Sequence, residues 1–385
     1  MPAKGSKRLF SLAAIFLFFA AAEGGARAVY FFSHARQAWP AREESSFSRF
    51  TLSGLHEYIP GSEIPLEPLG YPARSFGVGR YGFVHNGEDK PLEEKDFVIV
   101  LLGGSTVEGR GASSNAATIA AFLEQILNEK LPGRSFRVLN GGHTGYIAYQ
   151  EWLLLHGKIL ADFKPSMVLA LDGRNDGANL VQYAGHGWKP NWVPYADEIT
   201  RQVNAMIVSG GPSPVEALAF WLKRHSFLAE RADRFFQKPR GPFYFPGDEK
   251  PIPSLLDQAA EAYFQNHALA FTACRRKHIP YYVFLQPALL MGRKTLTEKD
   301  KKLQKYWDRY YRKEIYWESL EGFYSALDRS SAGIPYFYNL SGAFKNEPGQ
   351  LYFDSCHYTD AGNRLIAEKI ATAIDPELRP PSKDF

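Results

Sequence analysis

Three short segments constrain this chain more than any other feature, because each ends in a glycine-rich polar loop and helical patterns alternate between them. The first, Phe97-Val98-Ile99-Val100-Leu101-Leu102, enters Gly103-Gly104-Ser105-Thr106. The second, Phe136-Arg137-Val138-Leu139-Asn140, enters Gly141-Gly142-His143-Thr144-Gly145-Tyr146. The third, Met167 to Leu171, enters Asp172-Gly173-Arg174-Asn175-Asp176-Gly177. A continuous apolar run bounded by glycine reads as a strand buried on both faces. Between the runs, Ile119, Phe122, Leu123, Ile126 and Leu127 recur at helical spacing, with Ser113-Ser114 as the cap and Pro132-Gly133 as the stop. Ile147 to Asp162 reads as a second helix, ended by Lys164-Pro165. Strands alternating with helices fold as βαβ units of a doubly wound parallel sheet. Such sheets bind ligands outside the carboxyl ends of their strands, which is where Ser105 lies.

Further along, the pattern lapses between Ala178 and Pro253, a Trp-, Pro- and Gly-rich stretch read as an insertion over the crevice. Ser254 to His278 then reads as a helix, and Tyr281 to Leu285 as a fourth strand. Thr297 to Ser330 reads as one long helical region, Tyr336 to Leu340 as a fifth strand, and the stretch from Thr359 through Ile374 as a last helix. The expected organisation is an N-terminal segment 1–32, a lead-in 33–96 of short strands and loops, a main domain 97–377 holding the insertion 178–253, and a tail 378–385.

Charge and cysteine content exclude some functions. A net charge of +4 with dispersed basic residues supplies no concentrated basic face for nucleic acid. Two cysteines, Cys274 and Cys356, with no CxxC and no Cys/His cluster at metal spacing, do not make a structural zinc framework. Aromatic residues reach 15%, enough to fill a core and still line a sugar or acyl groove. At the N-terminus, Lys4, Lys7 and Arg8 precede an apolar run from Leu9 to Ala22. That run falls short of the ~20 residues of a spanning helix unless the stretch to Phe32 extends it past Glu23 and Arg27. It reads as a membrane anchor or, given Ala26-Arg27-Ala28, a cleaved signal, the anchor being favoured. The body is then expected outside the cytoplasmic membrane, in the periplasm.

A serine hydroxyl needs a base to become a nucleophile, and that base needs a carboxylate to hold its tautomer. Asp354 and His357, three apart after the last strand, are placed to supply both. At a helix start that spacing would set both side chains on one side of the turn. A developing oxyanion needs donors, and the candidates are the Ser105 N–H, the Gly145 N–H and the Asn175 side chain. Arg174, Asp172, Asp176 and His143 are further candidates to face the crevice. Trp188 and Trp192 are candidates to stack on a sugar.

Taken in order, these blocks resemble the SGNH, or GDSL-type, hydrolase family, over roughly Phe97 to Ile374 without the insertion. Gly103-Gly104-Ser105-Thr106 is similar to the nucleophile block, Asn140 to Gly145 to the glycine block, Gly173-Arg174-Asn175-Asp176 to the Gly-x-Asn-Asp block, and Asp354 to His357 to the Asp-x-x-His block. Gly82-Phe83 and the N-terminal run look like a membrane-attached bacterial branch. One position departs: Gly104 stands where the namesake motif carries Asp. The resemblance implies a three-layer α/β/α sandwich (flavodoxin-like) on about five parallel strands. It implies catalytic Ser105, His357 and Asp354, an oxyanion hole of Ser105, Gly145 and Asn175, and no metal or cofactor. The expected activity is hydrolysis of O-acyl groups on a glycan or small molecule. An O-acyltransferase, a lipid esterase and a non-catalytic glycan-binding envelope protein are the rival readings. Oligomeric state is open.

Overall fold

A computed structural model describes residues 48–50, 55–66, 74–191, 250–292, 294–310 and 313–378, all within one compact unit. The N-terminal segment 1–32, most of the insertion and the tail beyond 378 lie outside the described residues. Among the described residues no helix is long and apolar enough to cross a membrane.

Two antiparallel hairpins open the described chain, β1 (Ser48–Phe50) with β2 (His56–Tyr58), and β3 (Glu63–Leu66) with β4 (Arg74–Gly77). The central layer follows. Its members are β5 (Asp96–Gly103), α1 (Ser105–Glu108), α2 (Ile119–Lys130), β6 (Ser135–Gly142), α3 (Ala148–Leu154), β7 (Met167–Asp172) and α4 (Arg174–Tyr183). After the insertion come α5 (Pro253–Arg276), β8 (Tyr281–Leu285), α6 (Glu298–Tyr310), α7 (Lys313–Ser330), β9 (Phe337–Asn339) and α8 (Asp360–Leu378). The five strands pair in parallel in the order β6-β5-β7-β8-β9. This is the doubly wound, flavodoxin-like order, with its switch point between β5 and β7.

The unbroken apolar runs are explained by two cores. Val98, Val100 and Leu102 of β5 face one, with residues of α3, α4, α5 and α7. Ile99 and Leu101 face the other, with α2 and α8. Both faces of β5 are covered, so no alternation of polar residues survives. The chain is thus a three-layer α/β/α sandwich. The lead-in is not a separate lobe: Val84 bridges Asn140 on the edge strand β6, shielding that edge.

Several local expectations shift. Thr118, not Ser113-Ser114, caps α2, accepting from Ala121 N at 3.2 Å, because a 3₁₀ turn at Asn115–Ala117 intervenes. The helix after β6 passes through a π turn at Leu155–Ile159 before it ends at Asp162. α4 continues to Tyr183, inside the stretch assigned to the insertion. The region from Thr297 to Ser330 is two helices, not one. Trp317 Nε1 donates to Asp308 Oδ1 at 3.0 Å, a contact that nine residues of straight helix, ~13 Å long, could not make.

Candidate active site

Ser105 opens α1 directly after β5, and His357 lies 252 residues later in the turn before α8. The fold brings them together: Ser105 Oγ is 2.7 Å from His357 Nε2, and His357 Nδ1 is 2.6 Å from Asp354 Oδ2. Asp354 and His357 do not sit at a helix start, since α8 begins only at Asp360. Their geometry comes instead from Asp354 Oδ1, which accepts the N–H groups of Cys356 and His357, each at 2.9 Å. That side-chain turn points one carboxylate oxygen at its own backbone and the other at the imidazole. Ser105 is 8% exposed and His357 5%, so the hydroxyl–imidazole contact is largely shielded from water.

Burial opposes charge on all these groups, but their mutual attraction wins. Burial alone would lift Asp354; His357 and the two amides pull its carboxyl well below the usual range. Burial alone would lower His357; the Asp354 carboxylate, seconded by Cys356, raises it to about 9. Below that pH the ring carries both protons, and Nε2–H faces Ser105. Above it, Nε2 accepts from the hydroxyl.

Three candidate oxyanion donors remain. Ser105 N is at the first position of a helix and has no intrahelical acceptor. Gly145 takes φ +78°, and nothing lies within 4 Å of where a Cβ would sit, so its loop borders open space. Asn175 Nδ2 donates to Tyr146 O at 2.9 Å, tying the first turn of α4 to the Gly145 loop. That amide also lies close to Gly104: a Cβ there would come within 2.3 Å of Asn175 Nδ2, so the amide would have to shift. Gly142 is needed for a similar reason, since a Cβ would strike the backbone of α1 at Glu108.

Several positioning residues carry no local sequence signal. Gln286, just after β8, donates through Nε2 to Thr106 Oγ1 at 3.1 Å and to Cys356 O at 3.3 Å, bridging the serine and histidine segments. Thr106 Oγ1 itself donates to Cys356 O at 3.2 Å. Tyr58, from the lead-in, stacks on His143 at 4.5 Å, and His143 stacks on Tyr146 at 4.7 Å. The Tyr58 hydroxyl also accepts from Thr144 N and pairs with the buried Glu108, whose Oε2 accepts from Thr144 Oγ1. The Gly145 loop is therefore clamped from outside by the lead-in. Placement at a strand's carboxyl end was the one available clue for Gln286; Tyr58 had none.

Under the first turn of α4 lies a second polar cluster. Asp172 Oδ2 is 3.1 Å from His267 Nε2, and Asp172 Oδ1 accepts from Tyr263 OH at 2.6 Å. Asp176 Oδ1 accepts from Ala148 N at 3.1 Å, a second tie between that turn and the chain after Gly145. Burial, then the Asp172 charge, push Glu151 and Asp176 well above the usual carboxyl range, which favours their neutral forms. Against burial, His267 keeps Asp172 low and ionised. Asp172 and Asp176 thus brace the site from below. Arg174 is buried and donates to Tyr316 OH at 2.5 Å. Trp188 Nε1 donates to Asn179 Oδ1 at 3.0 Å; Trp192 lies outside the described residues.

No family model and no curated protein matches this chain. It is similar to solved structures at low identity. The lipase/acylhydrolase from Enterococcus faecalis is 14% identical, with a TM-score of 0.40 over 74% of this chain and 98% of that one. An acetyl xylan esterase, AlAXEase, is 13% identical, with a TM-score of 0.38 over 72% and 99%. The α/β hydrolase LAE5 from the metagenome of Lake Arreo is 15% identical, with a TM-score of 0.37 over 72% and 94%. Likenesses this distant assign no activity.

Proposed function

We propose that this chain is a serine carboxylic-ester hydrolase of the SGNH (GDSL) type. The observation that carries the reading is the unbroken hydrogen-bonded series Ser105 Oγ–His357–Asp354, assembled at the β5/β7 switch point of a doubly wound sheet. In the reaction, His357 Nε2 takes the hydroxyl proton as Ser105 Oγ attacks the ester carbonyl. Asp354 holds Nδ1–H and balances the imidazolium that forms. The Ser105 and Gly145 amides and the Asn175 side chain receive the oxyanion. His357 returns the proton to the leaving alcohol, and water, activated by the same ring, releases the acid.

The acyl group we favour is acetyl on a glycan, and the place is outside the cytoplasmic membrane. The basic and apolar N-terminal sequence and the aromatic-rich insertion support this. Incubation with short-chain p-nitrophenyl esters and an O-acetylated xylan is the test. Free acetate is expected, and Ser105→Ala is expected to lower kcat by ~10⁶. Full activity in Ser105→Ala ends the reading; acetyl groups appearing on an added sugar instead of in water make the protein an O-acyltransferase.

A further inference from the structure

Cys356 sits between Asp354 and His357, yet the reaction above gives it no task. Its Sγ lies 3.8 Å from His357 Nδ1 and 4.0 Å from Nε2. A carboxylate oxygen of Asp354, the Cys356 sulfur and a ring nitrogen of His357 all lie within 4.8 Å of one another, the one such group of donors among the described residues. The turn is already organised. Asp354 Oδ1 is occupied by two backbone amides, which leaves Oδ2, the atom on His357 Nδ1, as the one available to a cation. The Asp354 side chain is 19% exposed, so the turn borders solvent.

We propose that the Asp354-x-Cys356-His357 turn is an inhibitory site for a thiophilic divalent cation such as Zn²⁺, resting on the ester-hydrolase reading above. The dimensions fit. Tetrahedral zinc with Zn–N ~2.0 Å and Zn–S ~2.3 Å sets nitrogen and sulfur ~3.5 Å apart. The Sγ–Nδ1 distance of 3.8 Å is within a few tenths of that. The Asp354–His357 contact must open from 2.6 Å to ~3.3 Å, which amounts to a small side-chain rotation. The chemistry needs no redox partner. The Cys356 thiol releases its proton to solvent, and sulfur bonds the cation as thiolate. The ring releases its Nδ1 proton to solvent as the cation bonds that nitrogen, and its remaining proton sits on Nε2, so the N–H now faces Ser105 Oγ. The serine has lost its base. The cation acts through the tautomer of His357 and does not need to touch the substrate.

The test uses the folded protein with Zn²⁺, Co²⁺ and Mg²⁺ as probes, an ester assay and absorption spectroscopy. Zn²⁺ is expected to inhibit reversibly, with EDTA restoring the rate, and Mg²⁺ to have no effect because thiolate is a poor ligand for it. Cys356→Ala is expected to weaken inhibition by more than ~10-fold, since even removing a residue that only orients a ligand costs ~10–100-fold in metal affinity. Co²⁺ is expected to give a thiolate charge-transfer band with the wild type and with Ser105→Ala, and none with Cys356→Ala. Cys356→Ser, checked for native circular dichroism, guards against a folding defect in the alanine variant. Undiminished Zn²⁺ inhibition in Cys356→Ala, equal inhibition by Mg²⁺, or no Co²⁺ band in the wild type overturns the proposal. The band is read without turnover, so it decides the cation site even if no ester is hydrolysed.

Discussion

Two histidine–carboxylate pairs invite comparison, the first joined by a hydrogen bond and the second by an ion-pair contact. His357 reaches Asp354 with one nitrogen and Ser105 Oγ with the other, at 2.6 and 2.7 Å. His267 reaches Asp172 with one nitrogen and Tyr281 OH with the other, at 3.1 and 2.8 Å. The first pair borders the crevice, beside a small primary hydroxyl. The second is sealed between α5 and the sheet, against a phenol whose ionisation burial pushes well out of range. The difference teaches that the pairing itself is not chemistry. What the second nitrogen faces, and whether a substrate reaches it, separates a base from a brace.

Substituting the two aspartates sharpens the contrast most. Asp354→Asn is expected to lower kcat by ~10⁴, because the amide favours the wrong ring tautomer. Asp172→Asn is expected to spare the chemistry of molecules that fold and to lower stability instead, by ~3–5 kcal/mol, the usual result of breaking one side of a buried pair. Urea unfolding alongside active-site titration with a fluorophosphonate reads both. A 10⁴-fold loss of kcat in Asp172→Asn at an unchanged urea midpoint would break the comparison.

Asn175→Ala comes next, with an expected loss of ~10²–10³ in kcat and little change in KM, since the lost donor acts on the oxyanion. A rise in KM alone would remove Asn175 from that role. The pH profile is the third check. With His357 raised to about 9, kcat/KM is expected to climb ~10-fold per unit through neutrality and level off near that value. The same shift fixes a stability window: the pair with Asp354 favours the fold most below the ordinary histidine range and loses that share as pH rises toward 9. The share that Asp354 contributes is instead lost as pH falls below the ordinary carboxylate range. A flat profile across neutrality would contradict the coupling. The smallest effect is expected from Glu151→Gln. Burial and Asp172 already favour the neutral form of Glu151, so a neutral isostere should move the urea midpoint by less than ~1 kcal/mol.

Much of this architecture was legible before any coordinates. The strands at 97–102, 136–140, 167–171 and 281–285 announce themselves as apolar runs because both faces of the sheet are covered. The polar loops after the first three mark the crevice rim for the same reason, since a parallel sheet has nowhere else to put glycine and polar residues together. The break between α6 and α7 was not legible, as no Gly or Pro interrupts that stretch. Nor was the support of Tyr58, Glu108 and Gln286, each of which acts on residues far away in the chain.

By itself, then, the sequence determined the strand order of events: which segments are buried, where each ends, and which polar residues emerge there. Those are consequences of local hydrophobic pattern and of glycine's conformational freedom. Only the tertiary structure decided that an imidazole meets a hydroxyl 252 residues away, and which of two histidine–carboxylate pairs faces a serine and which a buried phenol. Hydrogen bonds at 2.6–2.8 Å and the burial that tunes them depend on packing between distant elements, and no short-range pattern encodes that.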